Sequence, residues 1–307
     1  MTPSSLQKIQ SNYFIIILLC MPALLIAQTN NTNPKVLFHQ DSLRLISSQF
    51  SFTEGPAVDA KGNVYFTDQP NNTIWKYDIN GALTLFMDNA GRSNGLYFDH
   101  KGNILSCADE NNQLWSIDPA KKVTVLFSGM QGKHLNGPND LWVDPKGGIY
   151  FTDPYYPRNY WTRTAPEVEG EKVYYLRKGQ KTIVQVSDQL QKPNGIVGSP
   201  DGKLLYVADI KGGKTYQFKI NADGSLSDQR VIINQGSDGM TLDSEGNIYL
   251  TGKGVTIYNE EGVQIGHIDV PEPWTANLCF GGTNRNQLFI TASKAIYILP
   301  MLVHGVE

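Results

Sequence analysis

Residues 54–68 read EGPAVDAKGNVYFTD. A polar residue opens the stretch and a short apolar run follows. An Asp/Lys/Gly/Asn cluster then interrupts, and a second run of β-branched and aromatic residues ends on Asp68. Two such runs around a turn cluster read as paired strands. The phrase returns five times: NGLYFDHKGNILSCAD from Asn94, NDLWVDPKGGIYFTD from Asn139, NGIVGSPDGKLLYVAD from Asn194, DGMTLDSEGNIYLTG from Asp238 and NLCFGGTNRNQLFITA from Asn277.

The copies begin 40, 45, 55, 44 and 39 residues apart. Periods near 40–45 residues, with several short strands per period, mark the blades of a propeller. Each copy has room for two more strands. In the first, residues 73–79 (TIWKYDI) and 82–87 (ALTLFM) flank Asn80-Gly81, a strong hairpin signal. The expectation is an all-β, six-bladed β-propeller forming one domain over residues 28–307. Residues 35–48 are expected to supply a strand that completes the last blade and removes an exposed edge. A β-sandwich is the alternative that the six near-equal repeats disfavour.

Composition agrees. With 40% hydrophobic residues in 307 the chain can bury a large core, and 29 glycines against 16 prolines suit many tight turns. The formal net charge is -3 and no long Lys/Arg run occurs, which argues against a nucleic-acid partner. Residues 13–27 (YFIIILLCMPALLIA) follow Lys8 and are short for a membrane span, so residues 1–27 read as an export signal. The mature chain is then expected to be secreted or periplasmic, with no membrane segment. Cys20 would leave with the signal. Cys107 and Cys279 fall two blades apart and are expected to be buried free thiols.

In a propeller the first strand of each blade lies nearest the axis. The residues just before these strands should therefore share one channel mouth: Glu54, Asn94, Asn139, Asn194, Asp238 and Asn277. Two carboxylates and four amides form an all-oxygen set suited to a hard divalent cation, calcium first, with magnesium, manganese or zinc as alternatives. Taken singly, Asn and Asp before strands often only close turns. The strand-end residues Asp68, Asp109, Asp153 and Asp209 read as such turn residues. The 55-residue spacing holds an insertion, 155–171 (YYPRNYWTRTAPEVEGE), whose Tyr155, Tyr156, Tyr160 and Trp161 either wall a ligand site or pack on a neighbouring blade. His134, five residues before Asn139, is a candidate substrate contact, although loop histidines are more often inert.

The chain resembles the SMP-30/gluconolactonase/LRE-like family in FTEGP (52–56), SNGL (93–96), LNGPND (135–140), YFTDPYY (150–156), KPNGI (192–196), SDGM (237–240) and NLCFGG (277–282). The resemblance implies a six-bladed propeller with one central divalent metal and hydrolysis of a small, sugar-derived lactone. It makes Glu54, Asn194 and Asp238 metal ligands, Asn139 a fourth ligand or substrate contact, and Asp238 the general base. Some members carry a substrate-contacting arginine two residues before the Asn139 position. Here that residue is Gly137, so their sugar specificity does not transfer. Another esterase or phosphotriesterase reaction, or a non-catalytic ligand-binding propeller, would use the same mouth. No GxSxG elbow supports a serine nucleophile.

Overall fold

A computed structural model of the protein describes Met1 and residues 35–306. Val36–Glu307 is one compact unit. The export signal expected over residues 1–27 lies, Met1 excepted, outside the described residues. No described helix is long and apolar enough to cross a membrane.

Six four-stranded antiparallel sheets follow one another along the chain. Their first strands are Thr53–Val58, Ser93–Phe98, Leu141–Val143, Pro193–Gly198, Met240–Leu242 and Thr275–Gly281. Each packs against the first strands of the blades on either side, the sixth closing on the first, so together they line the axis. This is the expected six-bladed β-propeller.

The turn cluster of the repeat has a physical explanation. Asp59 Oδ1 accepts the backbone N–H groups of Lys61 and Asn63 at 2.9 and 3.0 Å, and Asn63 Nδ2 donates to Asp59 Oδ2 at 2.7 Å. Gly62 between them sits at φ +96°, a conformation that favours glycine. Asp99, Asp144 and Asp243 receive the corresponding backbone N–H bonds in blades 2, 3 and 5. The turn fixes the register of the strands on either side. Second strands such as Ile149–Asp153 and Ile248–Gly252 are buried throughout, because neighbouring blades cover both faces.

Three strand-end aspartates fasten the chain entering their own blades, as expected. Asp68 accepts from Ser51 N and Phe52 N, Asp153 from Asn136 N and Gly137 N, and Asp209 from Gln191 N and Lys192 N. Asp109 departs from this pattern and is taken up below.

The closing strand is shorter than expected. Arg44–Ser47 pairs with Ala295–Pro300 and forms the outer edge of the last blade. Upstream, Gln40–Ser42 is a 3₁₀ turn, and Phe38 makes only an isolated bridge to Met301. The reason is local: the Gln40 amide donates to Asp269 O and accepts from Asp269 N, at 2.9 and 3.0 Å, drawing the chain towards blade 5. Cys107 and Cys279 are buried, and no disulfide joins them.

Candidate active site

Five of the six expected mouth residues, Glu54, Asn94, Asn139, Asn194 and Asp238, line one cavity of about 290 Å³. The sixth does not. Thr67, Thr152 and Thr251, on the second strands of blades 1, 3 and 5, donate their hydroxyls to the carbonyls of Asn94, Asn194 and Ala276. The residue of blade 6 equivalent to Asn94 and Asn194 is therefore Ala276, and Asn277 lies one step deeper.

That deeper level forms a second layer across the axis. Its members are Gly55, Gly95, Asp140, Gly195, Gly239 and Asn277. A Cβ on Gly95 would stand 2.6 Å from Asn139 O and Asp140 Oδ1, and one on Gly239 only 2.1 Å from Asn277 Oδ1. The glycines leave the space that the two polar side chains occupy, and Asn277 Nδ2 approaches Asp140 Oδ2 at 3.4 Å. Burial pushes the Asp140 carboxyl up to about 7. Asp140 was not singled out from the sequence. The signal was present: Asn139-Asp140 stands where other copies have Asn-Gly or Asp-Gly. Beyond this layer a larger cavity of about 430 Å³ is lined mainly by apolar side chains of the inner strands.

Glu54 and Asp238 dominate the electrostatics at the mouth. Burial raises the Glu54 carboxyl well above its usual range, and the nearby charge of Asp238 raises it further. Asp238 is raised to about 6 by burial, against the opposing effects of its bonds from Trp274 and Asn194 and of the Arg158 charge. Trp274 Nε1 donates to Asp238 Oδ2 at 2.6 Å, and Asn194 Nδ2 donates to Asp238 Oδ1 at 2.7 Å. Trp274 lines the cavity. It was missed because it belongs to a connection between blades and not to the repeated phrase.

The insertion divides its aromatics. Only Tyr156 faces the cavity, its hydroxyl accepting a bond from Asn194 Nδ2 at 3.1 Å. Tyr155 and Trp161, expected as substrate contacts, lie off the cavity wall. Trp161 donates to Asp109 O at 3.0 Å and lies under the Arg163 guanidinium, 4.1 Å from its ring centre. Tyr155 packs against Trp161, ring centres 6.1 Å apart. Tyr160 hydrogen-bonds Asp109 Oδ2 at 2.6 Å. His134 is also off the wall: it is exposed, and its Nδ1 pairs with Glu167 at 3.0 Å. Arg158, one of the insertion's two arginines and not among the expected site residues, does line the cavity.

Residues 52–294 match the family described as the SMP-30/gluconolactonase/LRE-like region. The chain belongs to that family. Among its relatives is a gluconolactonase of Zymomonas mobilis, 27% identical over 286 residues, a match covering 83% of this chain and 80% of that one. A gluconolactonase structure from Xanthomonas campestris superposes with a TM-score of 0.78 at 27% identity, covering 84% of this chain and 89% of that one. A calcium-binding regucalcin structure from Agrobacterium tumefaciens shares the fold, with a TM-score of 0.72 at 21% identity over 85% of this chain and 94% of that one. The match spans the first strands of all six blades.

The oxygen set fits a hard divalent cation on two observations. Asn94 Oδ1 is buried without a hydrogen-bond partner. Burial raises both Glu54 and Asp238, and the Asp238 charge raises Glu54 further, a repulsion that a cation would relieve. Among the described residues no group of three His, Cys, Asp or Glu forms a cage; beside the two carboxylates the donors here are amides.

Proposed function

We propose that this protein hydrolyses a small, sugar-derived lactone at the mouth bounded by Glu54 and Asp238. The observation that carries the reading is the convergence of these carboxylates, from blades 1 and 5, with three asparagines in one cavity. The gluconolactonase names of its relatives supply the reaction class.

Glu54, Asn139, Asn194 and Asp238 would hold one divalent cation. Calcium is the first candidate, favoured by the oxygen donors and by the calcium-binding regucalcin that shares the fold, with magnesium, manganese and zinc as alternatives. Such a cation would supply Lewis acidity, polarising the ester carbonyl and offsetting the charge that develops on its oxygen. Tyr156 and Trp274 border the space left for the lactone ring. Asp238 takes a proton from the attacking water as the water oxygen bonds to the acyl carbon. The ring C–O bond then breaks, and Asp238 returns the proton to the departing oxygen, giving a hydroxy acid. The bonds from Trp274 and Asn194 keep the Asp238 carboxylate oriented during both transfers.

The export signal read over residues 1–27 supports a site of action outside the cytoplasm. The test is a panel of lactones, aryl esters and phosphotriesters, each run with the four cations and with a chelator. Lactone opening that needs an added cation supports the reading. Turnover confined to esters or phosphotriesters reassigns the substrate, and no turnover at all leaves a ligand-binding propeller.

A further inference from the structure

We infer that Arg158 is a specificity-determining residue, whose guanidinium recognises adjacent oxygen substituents on the substrate: neighbouring hydroxyls or a carboxylate. The inference rests on the lactone-hydrolase reading and names which lactones that site favours.

Asp109 is the anchor of the arrangement. It is 2% exposed, and its Oδ2 receives Arg158 Nε at 2.7 Å, Tyr160 OH at 2.6 Å and Gln69 Nε2 at 3.0 Å. The other strand-end aspartates each bind backbone N–H groups of their own blade. Asp109, in blade 2, instead binds three side chains, two of them from the blade 3 insertion. An insertion without regular structure is thereby tied to the rigid blades beside the cavity.

The tie fixes one edge of the guanidinium and leaves the other available. Arg158 is bound to Asp109 through Nε, and among the described residues no acceptor meets Nη1 or Nη2. The side chain keeps 24% exposure and lines the cavity that holds Glu54 and Asp238. The plane of the guanidinium presents its two remaining amino groups as a fork, a geometry that suits two neighbouring acceptor oxygens. The Nε bond orders the side chain before substrate arrives, so less conformational entropy is lost on binding.

Arg158 is the one lysine or arginine among the described residues that line this cavity. A Cβ on Gly137 would lie 2.8 Å from Asp109 Oδ1 and 3.1 Å from the Trp161 ring. The insertion that closes this approach with Trp161 also delivers Arg158, three residues earlier in the chain.

The test compares wild-type protein with Arg158→Gln and Arg158→Lys on three cation-supplemented substrates: a polyhydroxylated aldonolactone, a lactone carrying a free carboxylate, and unsubstituted δ-valerolactone. Losing a fork of bonds to substrate oxygens should lower the kcat/KM ratio of an oxygen-rich lactone to δ-valerolactone by about tenfold or more in Arg158→Gln, mainly through KM. Lys should restore only part of it, being a point donor. The substrate whose ratio falls further identifies the oxygens as hydroxyls or carboxylate. Calorimetric binding of the open-ring aldonate gives a readout independent of turnover, and should weaken by a similar factor. Equal losses on all three substrates, or an unchanged ratio and unchanged aldonate affinity, would overturn the inference. A wild-type protein that opens no lactone would refute the proposed function, while aldonate binding would still decide the role of Arg158. Matching circular dichroism and melting temperature show that the variants are folded.

Discussion

Trp274 and Asp238 are joined by a 2.6 Å hydrogen bond from the indole Nε1 to carboxylate Oδ2, across the connection between the fifth and sixth blades. The bond stabilises the charged form of Asp238 against the effect of burial. Trp274→Phe keeps an aromatic ring at the cavity edge but removes the donor. The Asp238 carboxyl should then rise, and the acid limb of the kcat/KM profile should move to higher pH. A pH–rate profile that does not move would show that the bond does not tune the base.

The two carboxylates should separate on mutation. Asp238→Asn retains an oxygen donor but loses the proton acceptor, so kcat should fall by about 10²–10⁴-fold while a cation still binds. Glu54→Gln removes one of the two charges that would balance the cation, so affinity should fall first and excess cation should recover turnover. Titration calorimetry beside steady-state kinetics distinguishes the two outcomes.

Cation affinity should depend on pH with a definite sign. Burial raises both carboxyls, Asp238 to about 6, so protons compete with the cation in mildly acidic solution. Affinity should weaken as pH falls through about 6, where Asp238 takes up its proton. Calcium titrations between acid and neutral pH measure this. Affinity that rises on acidification would contradict it.

Gly95 tests the lower layer. A methyl group there would meet Asn139 O and Asp140 Oδ1 at 2.6 Å, and the first of these is backbone that cannot rotate away. Gly95→Ala should cost roughly 1–3 kcal/mol through overpacking, read as a lower melting temperature. A stability equal to wild type would show that the strands at the axis can separate.

Much of the fold was legible because its determinants are local and repeated. The Asp59–Lys61–Asn63 turn depends on bonds within five residues, and an Asp accepting the same two backbone bonds recurs in blades 2, 3 and 5. Glu54, Asn94, Asn139, Asn194 and Asp238 could be placed at one mouth because a repeat puts equivalent residues in equivalent places. The sixth member failed on a register of one residue. In blade 6 Thr275-Ala276-Asn277 replaces the usual order, and a one-residue step moves a side chain to another level of the axis. The insertion was legible as an insertion, but which of its aromatics reach the cavity was not.

By itself, then, the sequence determined the number of blades, the turn chemistry, the closure by an N-terminal strand and the residue types at the mouth, since each follows from short-range spacing. Tertiary structure alone decided that Ala276 takes the sixth place and that Asp140 and Asn277 meet beneath the mouth. It also decided that Trp274 holds Asp238 and that Asp109 of one blade holds Arg158 of another. Those relationships join residues 36 to 137 positions apart, and only packing of the blades against one another and around the axis brings them within hydrogen-bonding distance.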